Sequence, residues 1–329
     1  MSKQFRIQRT IAQAVVTAGG FITVDLPRGY DYESLYLRLT GSVQVTTAAT
    51  SVRTEAPCQA IQRCEVIADG RNTIHSAPYW FSVLGKYDRD LKMSQASRGV
   101  TAPTAAAIAT YPIEALGVID FFTPDGERPK DSNFRTDGLQ LLQLRLTFGN
   151  AIDMFVPGAG VAAFVNCTVE ISTSEVVELT DAATGTRTNP VLLKKVSFQE
   201  LTVPSSNVNQ EVRLPAGNMI KSVLVRTEGV TTTGEPTIAM INNLIAASGV
   251  DVRVNMRGAS LRGKNNDDFG IIQNGYYIAD FTRNGGVQAR LSELWDVTNQ
   301  AEPKIIMDIN GGAGYKLQAV VTEFLATGG

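Results

Sequence analysis

The chain has 329 residues, 43% of them hydrophobic and 19% charged, a composition that supports folded cores and excludes a chain disordered throughout. Lys and Arg number 30 against 32 Asp and Glu, a net charge of -2, so the chain as a whole has no electrostatic drive toward phosphate backbones and no sequence-specific nucleic-acid binding is expected. One histidine and 3 cysteines argue against multi-histidine metal chemistry and against a disulfide framework.

Along the chain, Lys3, Arg6 and Arg9 come first and precede the first acid, Asp25. They predict a basic N-terminal arm over residues 1–20, solvated or in contact with phosphate or lipid. Residues 11–24 are mildly apolar, but Gln13, Thr17, Gly19 and Gly20 interrupt them, and no signal peptide is expected. Next, Leu35, Leu37, Leu39, Val43 and Val45 alternate with Tyr36, Arg38, Thr40, Ser42 and Gln44, the period of a half-buried strand. The same alternation returns at Leu142, Leu144, Leu146 and Phe148, at Val165, Cys167, Val169 and Ile171, at Val252, Val254 and Met256, and at Ile305, Met307 and Ile309. Strands with one wet face imply antiparallel sheets.

Helical spacing is rare. Trp80, Leu84, Tyr87 and Leu91 follow Ser76-Ala77-Pro78, a start signal with Pro in the first turn, and a shorter helix is expected to begin near Asn265-Asn266 and carry Phe269 and Ile272. The apolar run 154–169 contains Pro157, Gly158 and Gly160, which suits a strand-turn-strand better than a membrane span.

Sliding the sequence on itself by 188 residues aligns Val24-Asp25-Leu26-Pro27-Arg28-Gly29 with Val212-Arg213-Leu214-Pro215-Ala216-Gly217. Ser34/Ser222, Arg38/Arg226 and Gly41/Gly229 extend the match without a gap to 7 identities over residues 24–41, against roughly one by chance. Later pieces recur in order: Pro57 and Pro236, then a strand and a helix, then Asp120-Phe121-Phe122-Thr123 and Asp280-Phe281-Thr282. In each copy Pro ends a strand and Gly allows the turn that follows. The expectation is an all-β chain of two tandem eight-stranded jelly-roll β-sandwiches with a short helix inserted in each: a first jelly roll over residues 21–179, a linker over 180–193 rich in Thr, Ala and Gly, and a second jelly roll over 194–329.

With these duplicated V-x-L-P-x-G strands, a helix after the fifth strand of each copy and paired Asp-Phe strand ends, the sequence resembles the double jelly-roll major capsid proteins of tailless icosahedral viruses. Within that group it is most similar to those of the internal-membrane-containing bacteriophages, a lineage that includes the adenovirus hexon. The resemblance implies a structural capsid protein that is not an enzyme and takes no cofactor. It implies homotrimers forming pseudo-hexagonal capsomers, which self-assemble with neighbouring capsomers into an icosahedral virion shell around the genome. Penton or minor capsid proteins are further implied partners, as is an inner viral membrane met by the N-terminal arm. Assembly in the host cytoplasm is implied as well. A carbohydrate- or receptor-binding β-sandwich protein is the alternative, and a double-jelly-roll hydrolase a lesser one.

Residues that carry chemistry elsewhere are sparse. His75 alone cannot complete a facial triad or a Ser-His-Asp arrangement. Cys58, Cys64 and Cys167 read as core thiols, Asp88 and Asp90 as a solvated helix face, 265–268 as a helix cap rather than a cation loop, and Trp80, Trp295, Tyr276 and Tyr277 as core. The Gly-rich runs 157–160 and 311–314 lack the Lys-Ser/Thr of a phosphate loop. Assembly contacts are expected on the arm (Lys3, Arg6, Arg9), on the polar loop 124–138 (Glu127, Arg128, Lys130, Asp131, Arg135) and on a second loop, 258–268 (Arg262, Lys264), where mixed charge suits weak, reversible association.

Overall fold

The structure, a computed structural model, describes residues 4–49, 51–84, 100–123, 132–156, 160–178, 192–204, 209–229, 236, 240–270, 274–283, 290–310 and 313–326. Its first half holds β1 (Gln4–Val15), β2 (Phe21–Asp25), β3 (Asp31–Thr47), β4 (Ile61–Ala68), β5 (Asn72–Ala77), α1 (Tyr79–Leu84), β6 (Ala109–Asp120), β7 (Phe134–Arg135), β8 (Leu142–Phe148) and β9 (Val161–Glu178). Its second half holds β10 (Leu192–Thr202), β11 (Asn209–Arg213), β12 (Met219–Glu228), β13 (Ile241–Ser248), β14 (Asp251–Arg257), α2 (Gly258–Phe269), β15 (Tyr276–Asp280), β16 (Trp295–Asp296), β17 (Lys304–Ile309) and β18 (Lys316–Ala326).

The two halves repeat one topology. One sheet runs β1-β9-β3-β6 with β7 beside β3, and its counterpart runs β10-β18-β12-β15 with β16 beside β12. The other pair runs β2-β8-β4-β5 and β11-β17-β13-β14. Leaving out the two-residue strands β7 and β16, each half has eight strands among the described residues, as expected of a jelly roll. The helices α1 and α2 both follow the fifth strand.

The aligned motif falls on matching places. Leu26 N–H donates to Leu142 O and Leu214 N–H to Pro303 O, both at 2.8 Å, and Gly29 and Gly217 turn the chain with φ of 107° and 87°. Phe121 N–H donates to Glu33 O and Phe281 N–H to Lys221 O, both at 2.9 Å, so the two Asp-Phe ends close the same ladder. In β3, Leu35, Leu37, Leu39, Val43 and Val45 are at most 1% exposed, whereas Arg38 and Gln44 face out. Gly41 bends this long strand against β9. A Cβ there would stand 2.6 Å from Cys167, at a φ of 149°.

Each half has its own core, and the cores differ in extent. The first recruits Val196, Leu224, Tyr276, Ile278 and Val320 from the second half, so the outward face of β10-β18-β12-β15 packs on the first sandwich. The second core lies between that sheet and β11-β17-β13-β14.

Several expectations need correcting. Residues 4–15 are no detached arm: β1 is the edge strand of the first sheet, paired antiparallel along β9. Residues 258–268 are a helix rather than a loop. Asn265-Asn266 do not start that helix, because the N-cap is Arg257 and Asn265 lies near the far end. The buried Asn265 amide accepts from Ile278 N–H and donates to Ile278 O, both at 2.8 Å, which pins α2 to β15. The expected first helix is described only as Tyr79–Leu84, and Tyr87 to Leu91, with Asp88 and Asp90, lie outside the described residues. No helix among the described residues is long and apolar enough to cross a membrane.

Candidate assembly surfaces and the junction between the sandwiches

The seam between the two sandwiches is the most heavily built polar site among the described residues. At Val196 and His75, β10 and β5 meet in the one parallel pairing described, which joins a sheet of each half edge to edge. Beside it, the Arg226 guanidinium from β12 crosses the seam to Glu55, which precedes the short 3-10 turn Ala56–Ala60. Nη2 lies 2.8 Å and Nε 3.1 Å from the same carboxylate oxygen, and both side chains are 1% exposed. Tyr276 Oη donates to the other Glu55 oxygen. Arg226 Nη1 also reaches Glu228 at 2.8 Å and Gln318 at 3.0 Å, and Gln318 accepts from Trp80 Nε1 at 3.1 Å. The Trp80 ring lies 5.7 Å below the guanidinium and meets Tyr276 edge-on.

Burial works against the Arg226 charge, but Glu55, Tyr276 and Glu228 outweigh it and raise its pKa. Burial, with the Glu55 charge, pushes the nearby Cys58 thiol well up, so it stays protonated. This arrangement ties the two sandwiches together through a buried ion pair.

His75 is sealed into the same seam at 3% exposure, its ring 6.3 Å from that of Phe81. Nε2 has no hydrogen-bond partner among the described residues. Burial, and secondarily the Lys194 charge, lowers its pKa from 6.5 to about 3. The folded chain thus holds a neutral imidazole where the unfolded chain takes a proton, so this stability is present above pH 6.5 and is lost as pH falls toward 3. Between pH 7 and 5 the loss should be about 2 kcal/mol. Thermal melts of wild type and His75→Leu at both pH values check this: the variant should show a flatter dependence, and parallel curves would refute it.

Between the sandwiches opens a cleft of about 660 Å³. Several of its charges are paired: Lys316 with Glu200 at 3.1 Å, and Glu65 with both Arg63 at 3.5 Å and Arg145 at 4.0 Å. The lining thus mixes both signs, with Arg53, Arg63, Arg145, Arg226 and Lys316 facing Glu65, Asp153, Glu200 and Glu228.

The expected contact residues are scattered. Arg6 pairs with Glu33 at 2.6 Å and Arg9 with Glu175 at 3.0 Å, so the basic cluster has acidic partners. These acids are distant in sequence and reach the arginines only because β1 lies along β9, next to β3. Arg135 sits on β7 and pairs with Asp137 at 2.6 Å. On α2, Lys264 pairs with Asp268, and Arg262 donates to Asn274 at 3.0 Å. Lys3, Glu127, Arg128, Lys130 and Asp131 lie outside the described residues. Sequence reasoning missed the roles of Glu55 and Arg226, and it read Tyr276 as core, where the structure buries it. The Arg38/Arg226 identity was a visible signal, but Arg38 stays at the surface beside Glu114 at 2.7 Å while Arg226 is buried.

No family model matches the sequence, and no curated protein matches it. Solved structures do match, over nearly the whole chain. The STIV MCP superposes with a TM-score of 0.73 at 17% identity, covering 98% of this chain and 97% of its own. The major capsid protein P2 from bacteriophage PM2 gives 0.64 at 14% identity, covering 99% and 98%. PBCV-1 VP54 gives 0.67 at 11% identity, covering 98% and 94%. The chain has the double jelly-roll fold of the major capsid proteins. In that double jelly roll the Arg226–Glu55 clasp and the β10–β5 junction tie the two sandwiches together.

Proposed function

We propose that this chain is the structural major capsid protein of an icosahedral virus, a building block of the virion rather than a catalyst. The observation that carries this reading is the match of the whole duplicated fold, both sandwiches and little else, to major capsid proteins of nearly the same length. The physical logic is that of a tile. Two rigid blocks locked by a buried ion pair give one shape, and surface ion pairs leave contacts between tiles weak enough to be corrected during assembly. Homotrimeric capsomers follow from duplication, since three chains of two similar blocks present six similar edges. Penton or minor capsid proteins are proposed partners because six-edged tiles alone close no shell. Assembly in the host cytoplasm is part of the same proposal. Contact with an inner membrane through Lys3, Arg6 and Arg9 loses support, because Arg6 and Arg9 are paired with Glu33 and Glu175.

The test is assembly by the purified chain. On concentration, sedimentation should show a discrete capsomer and then closed particles. A chain that stays monomeric at every concentration and salt would overturn the reading.

A further inference from the structure

The junction inside the chain has an unfilled twin. β5 ends the β2-β8-β4-β5 sheet, and its edge is covered by β10, the first strand of the second sandwich. Its counterpart β14 ends the β11-β17-β13-β14 sheet, and no strand among the described residues covers it. The strand matching β10 is β1, likewise an uncovered edge.

Ladder pairings carry the register from one junction to the other. Val196 faces Thr322, which faces Ser222, and Gln8 faces Ser174, which faces Ser34. Ser34 and Ser222 are aligned in the repeat, so Gln8 corresponds to Val196. His75 leads through Val66 and Leu144 to Val24, and Val254 through Ala246 and Ile305 to Val212, again an aligned pair. Val254 therefore corresponds to His75. We infer that β1 of one copy lies parallel against the β14 edge of a second copy, with Gln8 beside Val254, repeating between chains the junction that β10 makes with β5 within one.

The side chains agree. Leu193 and Phe198 on β10 pack against the first core, and the residue matching Leu193 on β1, Phe5, stands 47% exposed. On the receiving side Val252 is 53% exposed, and Val254 and Met256 line a groove of about 360 Å³ beside α2, with Leu261 and Phe281. An uncovered edge carrying the exposed Val252 beside the half-buried Val254 invites strand pairing. Of the arginines on the two edges, Arg6 and Arg9 are paired with acids and Arg253 with Asp251 at 3.0 Å, and Arg257 stands at the far end of β14, three residues from Val254. Each chain offers one edge of each kind, so association is head-to-tail, and in the three-fold capsomer proposed above it closes as a ring.

This inference rests on the self-association in the capsid reading, and cysteine cross-linking tests it separately. Paired strands bring Cα atoms within disulfide reach, and the native Cys58, Cys64 and Cys167 are buried. Under oxidation, Gln8→Cys mixed with Val254→Cys should give cross-linked dimers only. The double variant should give a closed ladder, and either single variant alone should give nothing above wild type. A second variant, Val252→Arg at the exposed edge, should lower the native mass of the folded protein toward monomer. Shells or multi-chain particles without the cross-link would overturn this inference and leave the capsid reading standing. Cross-linked rings that never build shells would support it and count against the capsid reading.

Discussion

Replacing Glu55 by Ala is expected to destabilise the folded chain by about 3–5 kcal/mol, because it leaves the buried Arg226 guanidinium without its main partner. Arg226 and Glu55 are each 1% exposed, and desolvation of the pair is offset only while both are present, with Tyr276, Glu228 and Gln318 completing the hydrogen bonds. Arg226→Met should be damaging for the mirror reason, as it strands a buried carboxylate. The double variant Glu55→Ala/Arg226→Met removes both charges and should lose less than the sum of the singles, a coupling of roughly 2–3 kcal/mol. Denaturant unfolding of the four proteins measures it. Since the pair crosses the seam, the single variants should also lose cooperativity, with the second sandwich melting apart from the first. Additive single effects would mean that the clasp joins nothing.

Leu37→Asp and Val225→Asp should each abolish soluble protein. The two positions are aligned in the repeat, both are 0% exposed, and each belongs to a different core. An Asp there forfeits the burial of an aliphatic side chain and places a carboxylate among Leu and Val side chains with no partner. The loss is on the order of 5 kcal/mol or more, comparable to the whole stability of a domain. Gln44→Asp, on the exposed face of the same β3 strand, is the control and should change stability by less than about 0.5 kcal/mol. Soluble, cooperatively unfolding Leu37→Asp or Val225→Asp protein, with yields like the control, would mean that the buried face of that sandwich is misassigned.

Much of the fold was legible because period-two alternation is a local signal: Leu35 to Val45 reads as a half-buried strand without knowledge of its neighbours, and Pro27/Pro215 with Gly29/Gly217 mark matching strand ends. The second helix was legible as an element but not in its extent, since its start was placed near Asn265 instead of at Gly258. Gly258, Gly263, Asn265 and Asn266 are poor helix formers, and what holds α2 is tertiary, through buried Leu261 and Phe269 and the Asn265 bonds to Ile278. The N-terminal arginines read as unpaired because Glu33 and Glu175 approach them only in the folded sheet. The seam was hidden for the same reason. Arg38 and Arg226 are one residue type at one repeat position, and only the packing of the second sandwich on the first buries one and leaves the other in water.

Cryo-electron microscopy of particles formed by this chain tests the central claim most directly. The account predicts a closed icosahedral shell whose repeating density is filled by the two sandwiches of each chain, related to one another as the Arg226–Glu55 clasp sets them. A shell built from another protein, with this chain confined to a spike or absent from the particle, would contradict it.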